Sequence, residues 1–256
     1  MSGFSFKKWY LDAADDQGNV YIGYWVSLHW RSLTLYAYQH LWRTSQEGVK
    51  TQGGLTRQPT PFLENDKRLV WKPQNLNATW DSAAARLDQQ LLKSEKGEIK
   101  WQCIQPKAKV NIELPRISFS GWGYTECIEI TIPVWKLPFK TLYWGRAHSE
   151  NHYLVWIKWE SPTTQSLVWH NGQRGTDLII TGHQISSSDI RLKVGENTTL
   201  RQGKLISTIF QPFSKIKKLL PTRTFLADEQ KWYSRGQLET KTNSEPAIII
   251  HEKVTW

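Results

Sequence analysis

The chain has 256 residues, 39% of them hydrophobic, and carries a formal net charge of +10. A mean hydropathy of −0.54, with no run close to the roughly 18 to 20 apolar residues that a membrane span needs, excludes a chain that crosses a bilayer. Cys103 and Cys127 are the only cysteines and lack the spacing of a zinc site or a disulfide scaffold, so we expect neither a metal nor a disulfide.

Strand signals dominate the first third of the chain. The opening residues contain no apolar stretch of the kind that a secretory signal needs, so we expect a cytoplasmic protein. Aromatic and β-branched runs at 20–30 and 33–42 are separated by a short turn signal, which predicts a hairpin. Both faces of the second run carry apolar side chains, so its sheet is covered on both sides or lines a lumen.

One helix is expected after an irregular connection over residues 53–72. The segment 81–93 opens on Asp81, which can cap a helix. Apolar residues recur at helical spacing through this segment, namely Trp80, Ala84, Leu87 and Leu91. A single amphipathic helix among strands would lie against a sheet or close one end of a barrel.

Short strand patterns resume after Gly97 and continue to the C-terminus. About twelve or more such runs, separated by turn residues, predict an all-β protein, either a barrel or a sandwich. No repeat of fixed period is present, which disfavours a propeller.

The segment 121–159 combines a high density of Trp with Glu, Arg and His. Alternation places Tyr124 and Glu126 on one strand face, and Arg146 and His148 on one face of the next strand. If these two strands pair as a long hairpin, Glu126 lies opposite Arg146 or His148. A protonated carboxylic acid in a dry aromatic site can protonate a double bond. The alternative is a purely structural Glu–Arg pair.

The basic charge is spread along the chain, and its densest stretch is segment 209–223, where Lys and Arg are mixed with Phe, Ile and Leu. Such a mixture suits contact with an anionic membrane surface, and the alternative is a solvated loop between strands. No RNA- or DNA-binding motif accompanies the charge, so we expect no nucleic-acid partner.

The C-terminal run carries His251 and Glu252 on opposite faces of an apolar strand, so one of the two faces inward. A buried His251 would be a second acid–base candidate, whereas a solvent-facing one would have no role. No nucleophile elbow, P-loop or dinucleotide fingerprint is present, which disfavours the common hydrolases, NTPases and dehydrogenases.

These residues resemble a known family. The sequence is similar to the lipocalin-like superfamily of carotenoid 1,2-hydratases, also called hydroxyneurosporene synthases, and tocopherol cyclases and certain fungal Diels-Alderases look like relatives. The resemblance rests on KWYLD (8–12), IGYWVSLHW (22–30), GWGYTE (121–126), WKLP (135–138), LYWGRAHS (142–149), HNG (170–172) and IHEKVTW (250–256).

The resemblance implies a calycin β-barrel architecture with two packed halves, 1–118 and 119–256, although a single large barrel domain stays open. It also implies a barrel lumen that binds an isoprenoid or polyene. The implied reactions are acid-assisted hydration, cyclisation or cycloaddition, and none of them needs a cofactor.

Carried over by position, the resemblance makes Glu126 the proton donor, with Tyr124 and Arg146 as its positioning partners and His148 beside them. The aromatic faces expected to wall the ligand, where they also stabilise a carbocation, are those of Trp122, Trp144, Trp156, Trp25 and Tyr38.

The sequence therefore predicts a cofactor-free enzyme that acts on a lipophilic small molecule. Two alternatives stay open. A lipid carrier of the same fold would bind without chemistry. A sugar-binding module would use exposed Trp side chains as stacking platforms.

Overall fold

The computed structural model describes residues 3–160, 164–175, 177–181, 184–205 and 227–256. These residues form antiparallel strands in two sheets, each curled as a half-barrel, which confirms the all-β prediction. No helix in these ranges has the length and apolar character that a membrane crossing requires. The segment 209–223, proposed from sequence to contact a membrane, lies outside the described residues.

The chain divides into two compact units between Leu137 and Pro138. The N-terminal unit is one sheet with the order β4-β3-β2-β1-β10-β9-β7-β6-β5, and β8 also pairs with β9. Its strands are β1 (Phe4–Ala14), β2 (Val20–Trp30), β3 (Leu33–Thr44), β4 (Gly48–Gly54), β5 (Phe62–Leu63), β6 (Arg68–Trp71), β7 (Asn77–Ser82), β8 (Leu87–Ser94), β9 (Gly97–Leu114) and β10 (Ile117–Ile130).

The C-terminal unit is a second sheet with the order β14-β13-β12-β11-β19-β18-β17-β16-β15. A single 3-10 turn, Val134–Lys136, precedes it. Its strands are β11 (Thr141–His148), β12 (Tyr153–Glu160), β13 (Gln165–His170), β14 (Gln173–Gly175), β15 (Ile179–Ile180), β16 (Gln184–Ser187), β17 (Ile190–Lys204), β18 (Asp228–Thr240) and β19 (Ser244–Thr255).

Both faces of the central N-terminal strands are buried. In β1, for example, Tyr10 and Leu11 point to opposite faces and are 2% and 0% exposed. One face forms a hydrophobic core with Trp residues from four different strands, namely Trp9, Trp25, Trp71 and Trp80. The opposite face carries the polar side chains on which the candidate site is built.

The C-terminal unit has a core of its own, made mainly of aliphatic side chains from β11, β12, β17 and β19. Trp156 packs into this core over Gly145, its register partner on the neighbouring strand. A Cβ at position 145 would lie 2.2 Å from the Trp156 indole, so only glycine leaves the ring in its place.

The helix expected over 81–93 is wrong, because β7 ends at Ser82 and β8 begins at Leu87. Leu87 and Leu91 are four residues apart, a spacing that one face of a strand shares with one face of a helix. The segment forms a strand because β8 pairs with β9, with Leu87 beside Cys103. This pairing provides hydrogen-bond partners for the backbone groups of both strands.

The long hairpin expected between the strands of the 121–159 segment is also wrong. The neighbours of β10 are β1 and β9, whereas those of β11 are β12 and β19. Both edges of each strand are therefore already paired. β10 belongs to the N-terminal sheet, in the compact unit that runs to Leu137.

The contact between Gly145 and Trp156 gives a stability prediction. Gly145→Ala forces a methyl group against a buried indole, and we expect a loss of about 1 to 3 kcal/mol in the free energy of unfolding, measured by chemical denaturation. Gly3→Ala is the matched control, because a Cβ there meets only ordinary contacts at 3.7 Å. Equal stability of the two variants would contradict the packing described.

Candidate functional site

The polar face of β10 is set by its GWGYTE segment. Gly123 faces the core side, where a Cβ would lie 2.1 Å from the carbonyl oxygen of Asp12, so glycine allows β10 to approach β1. Trp122, Tyr124 and Glu126 alternate onto the opposite face. The register places Tyr124 beside Asp12 and Glu126 beside Tyr10.

Two donors hold one oxygen of the Glu126 carboxyl group. Trp101 Nε1 donates to Glu126 Oε2 over 2.5 Å, and Tyr124 Oη donates to the same oxygen over 2.7 Å. The other oxygen, Oε1, lies 4.0 Å from Lys8 Nζ. Glu126 is only 5% exposed, so a fixed, largely dry carboxyl group stands in this face.

A second carboxyl group lies on the same face. Asp12 is fully buried, and Tyr10 Oη donates to its Oδ2 over 3.0 Å. Because Asp12 pairs with Tyr124 while Glu126 pairs with Tyr10, the two acids are diagonal neighbours, at about 7 to 8 Å. We call Tyr10, Asp12, Trp101, Tyr124 and Glu126 the Glu126 cluster.

Aromatic rings surround the cluster. The Tyr10 ring packs edge-on against Tyr24 at a centroid distance of 5.4 Å and against Tyr124 at 6.1 Å. Burial raises the pKa of Tyr124 well above its ordinary value. Tyr124 is therefore a neutral phenol that donates its proton to Glu126 as a hydrogen bond rather than losing it.

The thiol of Cys103 adjoins this phenol and is no nucleophile. Burial raises the pKa of the Cys103 thiol well above its ordinary value. Burial also raises the pKa of the Cys127 thiol, to about 12. Both thiols are free and protonated, as inert buried cysteines are.

Trp122 extends the polar face toward the end of the sheet. Its ring is half-buried, and Lys107 Nζ lies 4.3 Å from the ring centroid. A cation therefore lies over this indole, and the role of Trp122 as a wall for a ligand stays a prediction.

The remaining expected catalytic residues belong to the C-terminal unit. Arg146 and His148 are buried on one face of β11, at 0% and 2% exposure, and Arg146 Nη1 donates to the carbonyl oxygen of Ile248 over 3.3 Å. The hairpin that would set them opposite Glu126 is not formed. Their participation in the site stays a prediction.

Two expected ligand-binding residues lie on the core side of the N-terminal sheet. Trp25 belongs to the hydrophobic core and donates from Nε1 to the carbonyl oxygen of Gln58 over 3.0 Å. Tyr38 is its register partner and packs against the His40 ring at 5.4 Å. Neither shares a face with Glu126.

The other two, Trp144 and Trp156, contribute to a cavity of about 310 Å³ within the C-terminal unit. The aromatic residues expected to wall one ligand are therefore divided between different faces and units, and their contact with a ligand stays a prediction.

Sequence reasoning missed three members of the Glu126 cluster. Tyr10 and Asp12 lie in the KWYLD segment, where alternation alone puts them on one face with Lys8. Trp101 has no comparable signal, because its contact with Glu126 depends on the register between β9 and β10.

The described residues contain no group of three or more His, Cys, Asp or Glu able to hold a metal ion. The expectation that the protein uses no cofactor stays a prediction.

Comparison with known proteins identifies the fold. No family model and no curated protein matches the sequence. The structure of CghA with Sch210972 is similar at a TM-score of 0.57 and 8% identity, covering 100% of this chain and 89% of that chain. A Nitrosomonas europaea protein assigned as AttH gives 0.59 at 9% identity, with 98% and 92% covered.

Kievitone hydratase from Nectria haematococca is similar at a TM-score of 0.54 and 8% identity, covering 99% of this chain and 89% of that chain. This chain has the lipocalin-like all-β fold of these proteins. Identities below 10% restrict the likeness to the fold, so function must be argued from the site.

Buried His40 gives a prediction on pH. Its Nδ1 lies 2.8 Å from Tyr21 Oη, and burial lowers the pKa of His40 from 6.5 to about 4. As the pH falls below 6.5, His40 binds a proton in the unfolded chain but not in the folded protein. The stability that the neutral, buried His40 allows is therefore complete above pH 6.5 and is lost progressively toward pH 4.

Between pH 6.5 and pH 4 we expect the unfolding free energy of His40→Gln to fall by about 3 kcal/mol less than that of wild type, because glutamine does not titrate. The measurement is the unfolding free energy as a function of pH. His29→Gln, at an exposed position, is the control and should follow the wild-type profile. A His40→Gln profile as steep as wild type would show that His40 does not titrate as described.

Proposed function

We propose that the protein is a cofactor-free enzyme that hydrates or cyclises a lipophilic isoprenoid or polyene, with Glu126 as the proton donor. The observation that carries this proposal is the geometry of the Glu126 carboxyl group, in which two donors fix Oε2 while Oε1 lies at the longer distance of 4.0 Å from Lys8 Nζ. Proteins of this fold include kievitone hydratase, which supports the reaction class.

Proton transfer from such a carboxyl group balances without a cofactor. The protonated Oε1 gives its proton to one carbon of a double bond, and a carbocation forms on the other carbon. Water, or a second double bond of the same molecule, then adds to the cation. Loss of a proton from the adduct neutralises the product and returns the acid.

The second carboxylate suits the other half of this reaction. Asp12 lies on the same face as Glu126, at a diagonal position of the strand pair, where backbone positions are about 7 to 8 Å apart, so a second acid is close enough to accept a proton from the adduct. Tyr10 fixes one oxygen of Asp12 as Tyr124 fixes one of Glu126. The rings of Tyr10, Tyr24 and Tyr124 are buried beside the two acids and give the carboxyl groups apolar surroundings.

The test is turnover of a panel of linear isoprenoids and polyenes in ¹⁸O-labelled or deuterated water, followed by mass spectrometry. Wild type should incorporate labelled oxygen in a hydration, or carbon-bound deuterium in a cyclisation. Glu126→Gln keeps the size of the side chain but cannot donate the proton, and we expect a roughly 10²- to 10⁴-fold loss of turnover with ligand uptake retained.

The matched control is Glu129→Gln on the same strand, because Glu129 faces the other side and forms an exposed ion pair with Lys7. Its turnover should equal wild type. Binding of an isoprenoid without turnover by wild type would contradict the enzymatic proposal and favour a lipid carrier. Full activity of Glu126→Gln would remove Glu126 from the chemistry.

A further inference from the structure

The C-terminal unit contains a cavity that the proposed function does not use. Its volume, about 310 Å³, lies at the lower end of the range for small-molecule sites. Four aromatic side chains line it, and Ile185 and Val194 add aliphatic surface. The rings are those of Tyr143, Trp144, Trp156 and Trp232.

His251 is the polar group with the most defined setting in this cavity. Ser234 Oγ donates to Asn197 Oδ1 over 2.5 Å, so the single hydroxyl proton of Ser234 is committed. His251 Nε2 lies 3.1 Å from Ser234 Oγ and 3.3 Å from Asn197 Oδ1, and both can only accept from it. The ring proton of a neutral His251 is therefore on Nε2.

This tautomer leaves Nδ1 of His251 with a lone pair. Among the described residues the hydrogen bonds of His251 are formed by Nε2 and not by Nδ1. Burial, reinforced by the positive charge of Lys231, lowers the pKa of His251 to about 4, so the ring is neutral near pH 7. The ring of Trp232 packs against it at 5.0 Å.

The charges around the cavity are positive in balance. Glu252 lines it but forms an ion pair with the buried Lys231, whose ammonium lies 5.2 Å from the centroid of the Trp144 ring. Lys253 also lines the cavity, with its ammonium 5.6 Å from the Tyr143 ring. An acceptor at Nδ1 beside a positive potential favours a ligand group that donates a proton and is itself weakly acidic.

We propose that this cavity binds a small hydroxylated aromatic molecule, of the phenol or naphthol class, whose ring lies against Trp232 and Trp156 and whose hydroxyl donates to Nδ1 of His251. The apolar ring supplies affinity through contact with the indoles. The hydroxyl supplies orientation, because Nδ1 of His251 accepts a hydrogen bond from it. The site belongs to a different unit from Glu126 and does not depend on the proposed enzymatic function.

The first test uses the wild-type protein and three probes of one ring system, 2-naphthol, 2-methoxynaphthalene and 2-naphthoate, by isothermal titration calorimetry at pH 7. One hydrogen bond is worth about tenfold in affinity, so 2-naphthol should bind about tenfold more tightly than its methyl ether. Three results would overturn the proposal: 2-naphthol and its methyl ether bind equally well, neither of them binds, or 2-naphthoate binds most tightly.

Variants then locate the site. His251→Phe keeps a ring of similar size but removes Nδ1, and should bring the preference for 2-naphthol over its ether to within about twofold. Trp232→Leu should weaken both probes together. Glu126→Gln, in the other unit, should leave the affinities for 2-naphthol and its methyl ether unchanged. A loss of 2-naphthol binding in that variant alone would assign the ligand to the Glu126 cluster and overturn this site.

Discussion

A buried carboxyl group is the constraint on which the N-terminal half of this structure depends. Placing Glu126 at 5% exposure costs free energy unless its oxygens are hydrogen-bonded. Trp101 and Tyr124 supply the donors, and they come from two different strands. The register between β9 and β10, with its bulges near Gly123 and Thr125, is therefore tied to the polar face as much as to the Trp core behind it.

Period-two alternation explains what the sequence could predict. Tyr124 and Glu126 share a face because they are two residues apart on a strand, and the aromatic runs predict strands buried on both sides. The same argument, applied to KWYLD, would have added Tyr10 and Asp12. The helix expected at 81–93 failed for a related reason, since a four-residue spacing fits a strand face and a helix face equally.

Long-range pairing explains what the sequence could not predict. The partner of Trp9 is Cys127, far along the chain, and no local pattern reports that pairing. Strands β10 and β11 follow one another in the sequence, which predicts a hairpin. In the structure β10 instead pairs with β1, and β11 pairs with β19. Trp101 could be recognised as a partner of Glu126 only after this topology was known, whereas the fold class needed no pairing at all.

Two acids on one buried face and a neutral histidine in a separate cavity are different uses of the same lipocalin-like fold. In the proposed function Tyr124 holds the Glu126 carboxyl group, so we expect the two side chains to act as one proton-donating unit. A double-mutant cycle with Tyr124→Phe and Glu126→Gln, read as turnover of the substrate found by isotope labelling, tests it most directly. If the two side chains act as one unit, the double variant will be no slower than Glu126→Gln alone. If the fold-loss of turnover in the double variant equals the product of the two single fold-losses, the two side chains act independently, which would contradict this expectation.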